Sequence, residues 1–184
     1  MDYKMTIAGL ERHLPLCKVN DDLYIAGFIM FNDVELTIAV ARELLDRAPE
    51  FDVILTAESK GIPLAYEMAR QSNNAPYIVA RKETKLYMQD VFQVEVNSIT
   101  TNHKQKLCIG KTERDLMRGK RVLVVDDVIS TGESIAAIDK IVDAVGGTIV
   151  GQMTVLAEGD ACKRDDITYL EELPLFDKDG NVMQ

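Results

Sequence analysis

Residues 121–134 read Arg-Val-Leu-Val-Val-Asp-Asp-Val-Ile-Ser-Thr-Gly-Glu-Ser, an apolar run, two adjacent carboxylates and a short hydroxyl- and glycine-bearing turn. The β-branched, continuously apolar stretch Val122–Val125 predicts a parallel strand buried on both faces, with Asp126 and Asp127 at its carboxyl end. Open α/β sheets bind their ligands at that end. The backbone N–H groups of Ser130, Thr131, Gly132 and Glu133 precede a predicted helix, Ser134 to Val145, and so lack intrahelical partners. They can face an anion, assisted by the helix dipole, and Ser130, Thr131 and Ser134 add hydroxyl donors. Carboxylates beside an anion pocket repel the anion unless they address another part of the ligand. Sugar hydroxyls are such a part: Asp126 and Asp127 accept hydrogen bonds from a vicinal diol while the turn, with Val128 and Ile129 leading into it, holds a phosphate. The bland alternative is an Asp-Asp pair that merely caps the next helix.

One βαβ unit upstream, the strand Phe51–Thr56 runs into Ala-Glu-Ser-Lys-Gly-Ile-Pro, residues 57–63. Gly61 permits close backbone approach or a positive φ, Ser59 and Lys60 supply donors, and Pro63 suits the first turn of a helix to Gln71. This second strand-to-helix turn, with Glu58, can bind another anion on the same rim. After the strand Tyr77–Ala80 come Arg81, Lys82 and Lys85, cations suited to a polyphosphate, although Lys85 reads equally as solvated loop charge.

The chain has 184 residues and a net charge of -9, with no Lys/Arg block, which disfavours nucleic acid and anionic membranes as partners. Length predicts one domain, residues 1–184. Three scattered cysteines, Cys17, Cys108 and Cys162, fit free thiols in a reducing compartment, and no stretch has the length of a membrane span, so a cytoplasmic protein is expected.

Residues 1–32 read as an irregular appended lobe with one strand, Leu23–Phe31. Asn32 and Asp33 cap a helix whose apolar positions Leu36, Ala39, Val40, Leu44 and Leu45 recur before Pro49. Residues 81–110 form a long polar excursion, in which the alternation over 91–96 and a return strand at Lys106–Gly110 predict a two-stranded ribbon that serves as a lid. Asp115–Lys120 reads as a turn, Thr148–Leu156 as a further buried strand, and Ile167–Leu170 and Leu173–Phe176 as a short strand and an apolar clamp. The fold class is α/β, a mostly parallel twisted sheet flanked by helices.

The acidic doublet followed by two apolar residues, a small residue and Thr-Gly resembles the phosphoribosyl-diphosphate loop of type I phosphoribosyltransferases. With Thr6–Leu10, the Phe31–Val34 segment, the Glu58–Gly61 turn and the Arg81–Lys82 pair in order, nearly the whole chain resembles the purine members, closest to the adenine and xanthine branches. The resemblance implies the type I fold with an N-terminal hood, and transfer of phosphoribosyl from phosphoribosyl diphosphate to a purine with release of pyrophosphate. It also implies Mg²⁺ held mainly by the donor, with water-mediated contact to Asp126 and Asp127, and a homodimer. The Glu58–Gly61 turn and Lys85 would take pyrophosphate, and Arg81 and Lys82 would neutralise it. Ile29, Phe31 and the edge of Asn32 are either hood surface for a planar base or part of a core strand.

Base choice stays open between branches. The adenine enzymes carry a lid glutamate where this chain has Thr101, which resembles the xanthine branch. The xanthine enzymes carry a lysine after a glutamate beyond the last core strand, whereas Glu158 is followed here by Gly159 and Asp160. Glu158 can accept from an exocyclic amine, which favours adenine; His103 receives no role. Alternatives are a xanthine or other nucleobase transferase, orotate included, and a non-catalytic sensor of the donor related to purine repressors.

Overall fold

The computed structural model of the chain describes residues 1–97 and 104–183. A five-stranded sheet, wholly parallel, has the order β10-β9-β8-β4-β5, with β4 Val53–Ala57, β5 Tyr77–Ala80, β8 Arg121–Ile129, β9 Thr148–Glu158 and β10 Thr168–Leu173. Alternate side chains of these strands feed two different cores, as the pleat requires. Ile54, Leu123, Val125, Met153 and Val155 pack with α1 (Val34–Leu45), α2 (Ile62–Gln71) and the N-terminal lobe. Val53, Leu55, Val122 and Val124 pack with α4 (Glu133–Val145) and with α3 (Lys111–Met117) through Met117. Both faces are covered, which is why the central strands read as unbroken apolar runs.

Chain order and sheet order reverse at one place. From β4 the chain passes through α2 to β5 on one side, and after the 81–110 excursion it returns as β8 on the other side of β4. The crevice between the carboxyl ends of β4 and β8 is therefore the topological switch point where such sheets bind ligands.

The N-terminal lobe is more regular than its sequence implies. β1 (Asp2–Ile7) and β2 (Leu10–Lys18) form an antiparallel hairpin, while the expected strand Leu23–Phe31 contracts to β3, Tyr24–Ala26. Only alternate residues such as Met5, Ile7 and Leu14 are buried, so the charged outward face masks the pattern. The other edge of this sheet is β11 (Leu175–Phe176), which pairs with β3, and Tyr3 meets Phe176 edge-on at 4.9 Å. Both ends of the chain thus build the hood.

Two further expectations change. Residues 111–117 are helical where a turn at Asp115–Lys120 was expected; α3 buries only Met117, and its start is fixed by the Gly110 N–H donating to Glu113 Oε2 at 2.9 Å. The ribbon is present as β6 (Phe92–Asn97) paired with β7 (Lys104–Ile109), and Thr101 and His103 lie outside the described residues. Among the described residues no helix is long and apolar enough to cross a membrane.

Hood and core are joined by an ion cluster. Arg12 of β2 donates from Nε to Asp33 Oδ2 at 2.6 Å, and from Nη2 to Asp33 Oδ1 at 3.0 Å and Glu35 Oε2 at 2.8 Å. Asp33 is also the N-cap of α1, accepting from the Leu36 N–H at 3.1 Å. Arg12 first, and the Leu36 N–H with it, holds the Asp33 carboxyl below its ordinary range against the cost of burial. A depressed carboxyl contributes stability above its unfolded pKa and loses it as pH falls through the folded value. Arg12→Met should therefore cost about 1–2 kcal/mol at pH 7, and its deficit relative to the parent should shrink in acid. Urea unfolding midpoints at neutral and acid pH check both.

Candidate functional site

β8 does not end at its carboxylates. Its pairing with β9 continues to Ile129–Ala157, whereas its pairing with β4 stops at Leu55–Val124. Asp126 and Asp127 thus lie inside the strand but beyond its last bond to β4, facing the crevice. Their side chains leave the strand on alternate sides. Asp126 lines a small cavity of about 50 Å³ with Val128, Ile129, Ser130, Thr131, Gly132, Glu133 and Ser134. Asp127, only 3% exposed, places Oδ2 2.8 Å from Lys60 Nζ. The two remain linked, since the Asp127 N–H donates to Asp126 Oδ1 at 2.9 Å. Burial, followed by the charge of Asp127, pushes the Asp126 carboxyl up to about 7, with Lys60 among the influences that oppose the rise. A single proton on this buried pair relieves the repulsion between neighbouring carboxylates.

The turn after β8 has the predicted form. Gly132 is the N-cap of α4 and adopts φ 76°, a left-handed conformation natural to glycine, so the helix begins at Glu133. Ser130, Thr131 and Gly132, whose N–H groups precede the helix, line the small cavity.

The turn after β4 presses on the same carboxylate. A Cβ on Gly61 would overlap Thr56 Oγ1 and lie 2.9 Å from Asp126 Oδ1. Close approach is thus what requires glycine here; φ is -73°, so the alternative expectation of a positive φ does not hold. Pro63 sits in the first turn of α2 and the Glu58–Ser59 peptide is cis. Glu58 turns toward the following loop, where Oε2 accepts from the Lys82 N–H at 2.9 Å and lies 3.5 Å from Arg81 Nε. It fixes the Arg81–Lys82 backbone to the rim.

The other sequence-predicted residues are more dispersed. The Lys82 side chain lines a cleft of about 370 Å³ with Gln93, Lys106 and Cys108 of the ribbon, and Lys85 Nζ lies 3.5 Å from Glu83 Oε2. Ile29 is 59% and Phe31 47% exposed, which rules out the core-strand alternative for both. Phe31 and Asn32 border a separate, mainly apolar cleft of about 380 Å³ with Val34, Pro63 and Tyr66, beginning two residues beyond Gly61.

Three residues gain a place that sequence reasoning did not give them or gave only loosely. Thr56 is wholly buried under Gly61. Glu158, at the end of β9, is raised by burial and pulled back by the charge of Lys60, which puts it on the same rim. Arg164 reaches Gly132 from a 3₁₀ turn, Gly159–Lys163, that the sequence did not announce; its only local signal was the charged run 163–166.

A crevice at the carboxyl ends of β4 and β8, with a phosphate-sized turn on one side, a Lys–Asp pair on the other and a second glycine turn beneath, suits a ligand with a hydroxylated middle and two anionic ends. Two adjacent carboxylates, one engaged by Lys60, fit a Mg²⁺ ion that keeps most of its ligands from water and substrate. Among the described residues no group of three or more His, Cys, Asp or Glu is placed to hold a metal.

Comparison with known proteins agrees. The family model described as "Phosphoribosyl transferase domain" matches residues 35–178. The chain is 30% identical over 138 residues to xanthine phosphoribosyltransferase of Exiguobacterium sp. (strain ATCC BAA-1283 / AT1b), covering 73% of this chain and 70% of that one. It is 36% identical over 134 residues to hypoxanthine/guanine phosphoribosyltransferase of Methanococcus voltae, with 73% and 67% covered. In fold it is similar to adenine phosphoribosyltransferase of Saccharomyces cerevisiae, at a TM-score of 0.68 and 19% identity over 86% of this chain and 92% of that one.

Gly61→Ala should cost about 1–3 kcal/mol through overpacking against Thr56 and Asp126, and Thr56→Ala in the same chain should recover part of it. Thermal unfolding of the single and double variants reads the recovery.

Proposed function

The chain belongs to the phosphoribosyl transferase domain family and is a purine phosphoribosyltransferase, and on that premise we propose that its base is adenine, converted with phosphoribosyl diphosphate to the nucleoside 5′-monophosphate and pyrophosphate. The observation that carries the reading is the crevice itself: the Ser130–Ser134 turn, the Asp126–Asp127 pair and Lys60 converge between β4 and β8. The turn takes the 5-phosphate. The carboxylates take the ribose hydroxyls, directly or through water on Mg²⁺, which when bound supplies charge neutralisation for the leaving group. Lys60, the backbone of the Ser59–Gly61 turn, and Arg81 with Lys82 at the edge of the rim take the pyrophosphate.

Catalysis in this scheme is positioning and electrostatics. As pyrophosphate departs, positive charge grows on the ribose ring, so donors at the leaving group and carboxylates below the sugar both favour the transition state. The hood, with Ile29 and Phe31 presenting apolar surface, covers the base. We include in the proposal a homodimer formed through the apolar cleft at Phe31, Val34 and Tyr66, which adjoins the pyrophosphate turn.

Adenine rests on Glu158. An acceptor at the end of β9 pairs with an exocyclic amine, whereas an exocyclic carbonyl oxygen needs a donor there. Protein supplied with Mg²⁺, phosphoribosyl diphosphate and each of adenine, hypoxanthine, guanine, xanthine and orotate should form nucleotide fastest with adenine. Glu158→Lys should lower kcat/KM for adenine at least about tenfold relative to the 6-oxopurines. Donor binding without nucleotide or pyrophosphate from any base would instead make the protein a sensor.

Asp127→Asn keeps the shape of the site and removes the charge that Lys60 faces. It should cut kcat by about 10²-fold or more while shifting the unfolding midpoint little; an equal loss of folding would make Asp127 a structural residue.

A further inference from the structure

We infer that Arg164 is a positioning residue for the phosphate-binding turn, holding Gly132 in its left-handed conformation and setting a positive charge behind the anion. The inference rests on the phosphoribosyl reading of that turn and extends it to a residue outside the cavity. Past Glu158 the chain makes the 3₁₀ turn Gly159–Lys163, and the Arg164 N–H closes it by donating to Ala161 O at 3.2 Å. The side chain then runs back to the sheet. Nε donates to Asp166 Oδ1 at 2.8 Å and Nη2 to Asp166 Oδ2 at 2.6 Å, a two-pronged grip that fixes the plane of the guanidinium. Fixed so, Nη1 occupies the space that a Cβ on Gly132 would fill.

Two consequences follow from this packing. Glycine suits this position twice over, since φ 76° favours it and a Cβ there would meet the guanidinium. The surroundings of Arg164 are otherwise acidic: Asp166 grips it, and Asp139 of α4, pushed up mainly by burial, feels its charge. Asp143 lies beyond, close enough to raise Asp139 further. Without Arg164 the back of the turn would present carboxylates to an incoming phosphate. With it, one positive charge stands among those carboxylates and offsets part of their repulsion, so the N–H groups ahead of α4 meet the anion with less opposition from behind. Only the arginine fork combines a fixed plane with a nitrogen left over for Gly132.

The test separates the two ends of the donor. Calorimetry with Mg²⁺ would measure ribose 5-phosphate and pyrophosphate separately on the wild-type protein, Arg164→Gln and Arg164→Lys. Arg164→Gln should weaken ribose 5-phosphate about tenfold or more and leave pyrophosphate within about twofold, with the donor's KM raised and kcat nearly kept. Arg164→Lys, which retains charge without the fork, should fall between. Equal ribose 5-phosphate affinity in wild type and Arg164→Gln overturns the inference, as does parallel loss of both ligands. Should Arg164→Gln fail to fold, wild-type affinity in Arg164→Lys overturns it. Absence of ribose 5-phosphate binding by the wild-type protein sinks the phosphoribosyl reading itself, a different result from any of these.

Discussion

Past Val124 the central strand has lost one neighbour and kept the other: β8 no longer bonds to β4, yet its pairing with β9 runs five residues further, to Ile129. That unequal parting opens a crevice whose floor is still a rigid strand. A carboxylate placed on a loop would have to be ordered by its ligand, at a cost in conformational entropy. Asp126 and Asp127 are ordered by the β9 ladder instead, and the glycine turn after β4 fills the gap beneath them so closely that no Cβ fits at Gly61. The geometry of the site is therefore a property of the sheet, and the loops add anion donors to a frame already set.

Charge imposes a second constraint. A chain of net charge -9 that binds a polyanion cannot rely on its overall field and must hold its cations locally. Three of the cations around this rim are steadied by a carboxylate: Lys60 by Asp127, Arg81 by Glu58, Arg164 by Asp166. These pairs do little for stability where they are exposed. What they do is fix long, entropy-rich side chains near the places where anionic oxygens are to bind. In the proposed scheme the partner of Lys60 is itself a ligand for the sugar, so arrival of the donor would trade one anionic neighbour for several and need not strip the lysine of water a second time.

How much of this the sequence revealed follows from the range of the interactions. Val122–Ser134 is legible because its strand, turn and helix cap are local, and the two cores on either face of the sheet make the apolar run continuous. The hood was opaque for the opposite reason. β1 and β2 bury only alternate side chains, and their sheet is completed by Leu175 and Phe176, more than 140 residues away in the chain. Asp33 could be read as a helix cap, but nothing near it named Arg12 as its partner. Lys82 and Lys85 were read from their closeness to a strand end; the structure turns them toward the ribbon and Glu83, because Glu58 already holds the backbone at that point.

In the proposed scheme the exit of β9 serves two ends of the ligand. Glu158 is the last residue of the strand and faces the side of Lys60; five residues of 3₁₀ turn later, Arg164 stands behind the 5-phosphate turn. A tight helical turn is stiff, so the spacing between these two side chains is set by backbone geometry more than by their own rotamers. On that scheme residues 159–163 join the side chain that meets the base to the one that backs the phosphate turn. The turn is anchored by buried Ala161 and by the Tyr169 hydroxyl donating to Cys162 O at 3.2 Å, so the separation of the two side chains is held by packing and a hydrogen bond to β10 as well as by the turn itself.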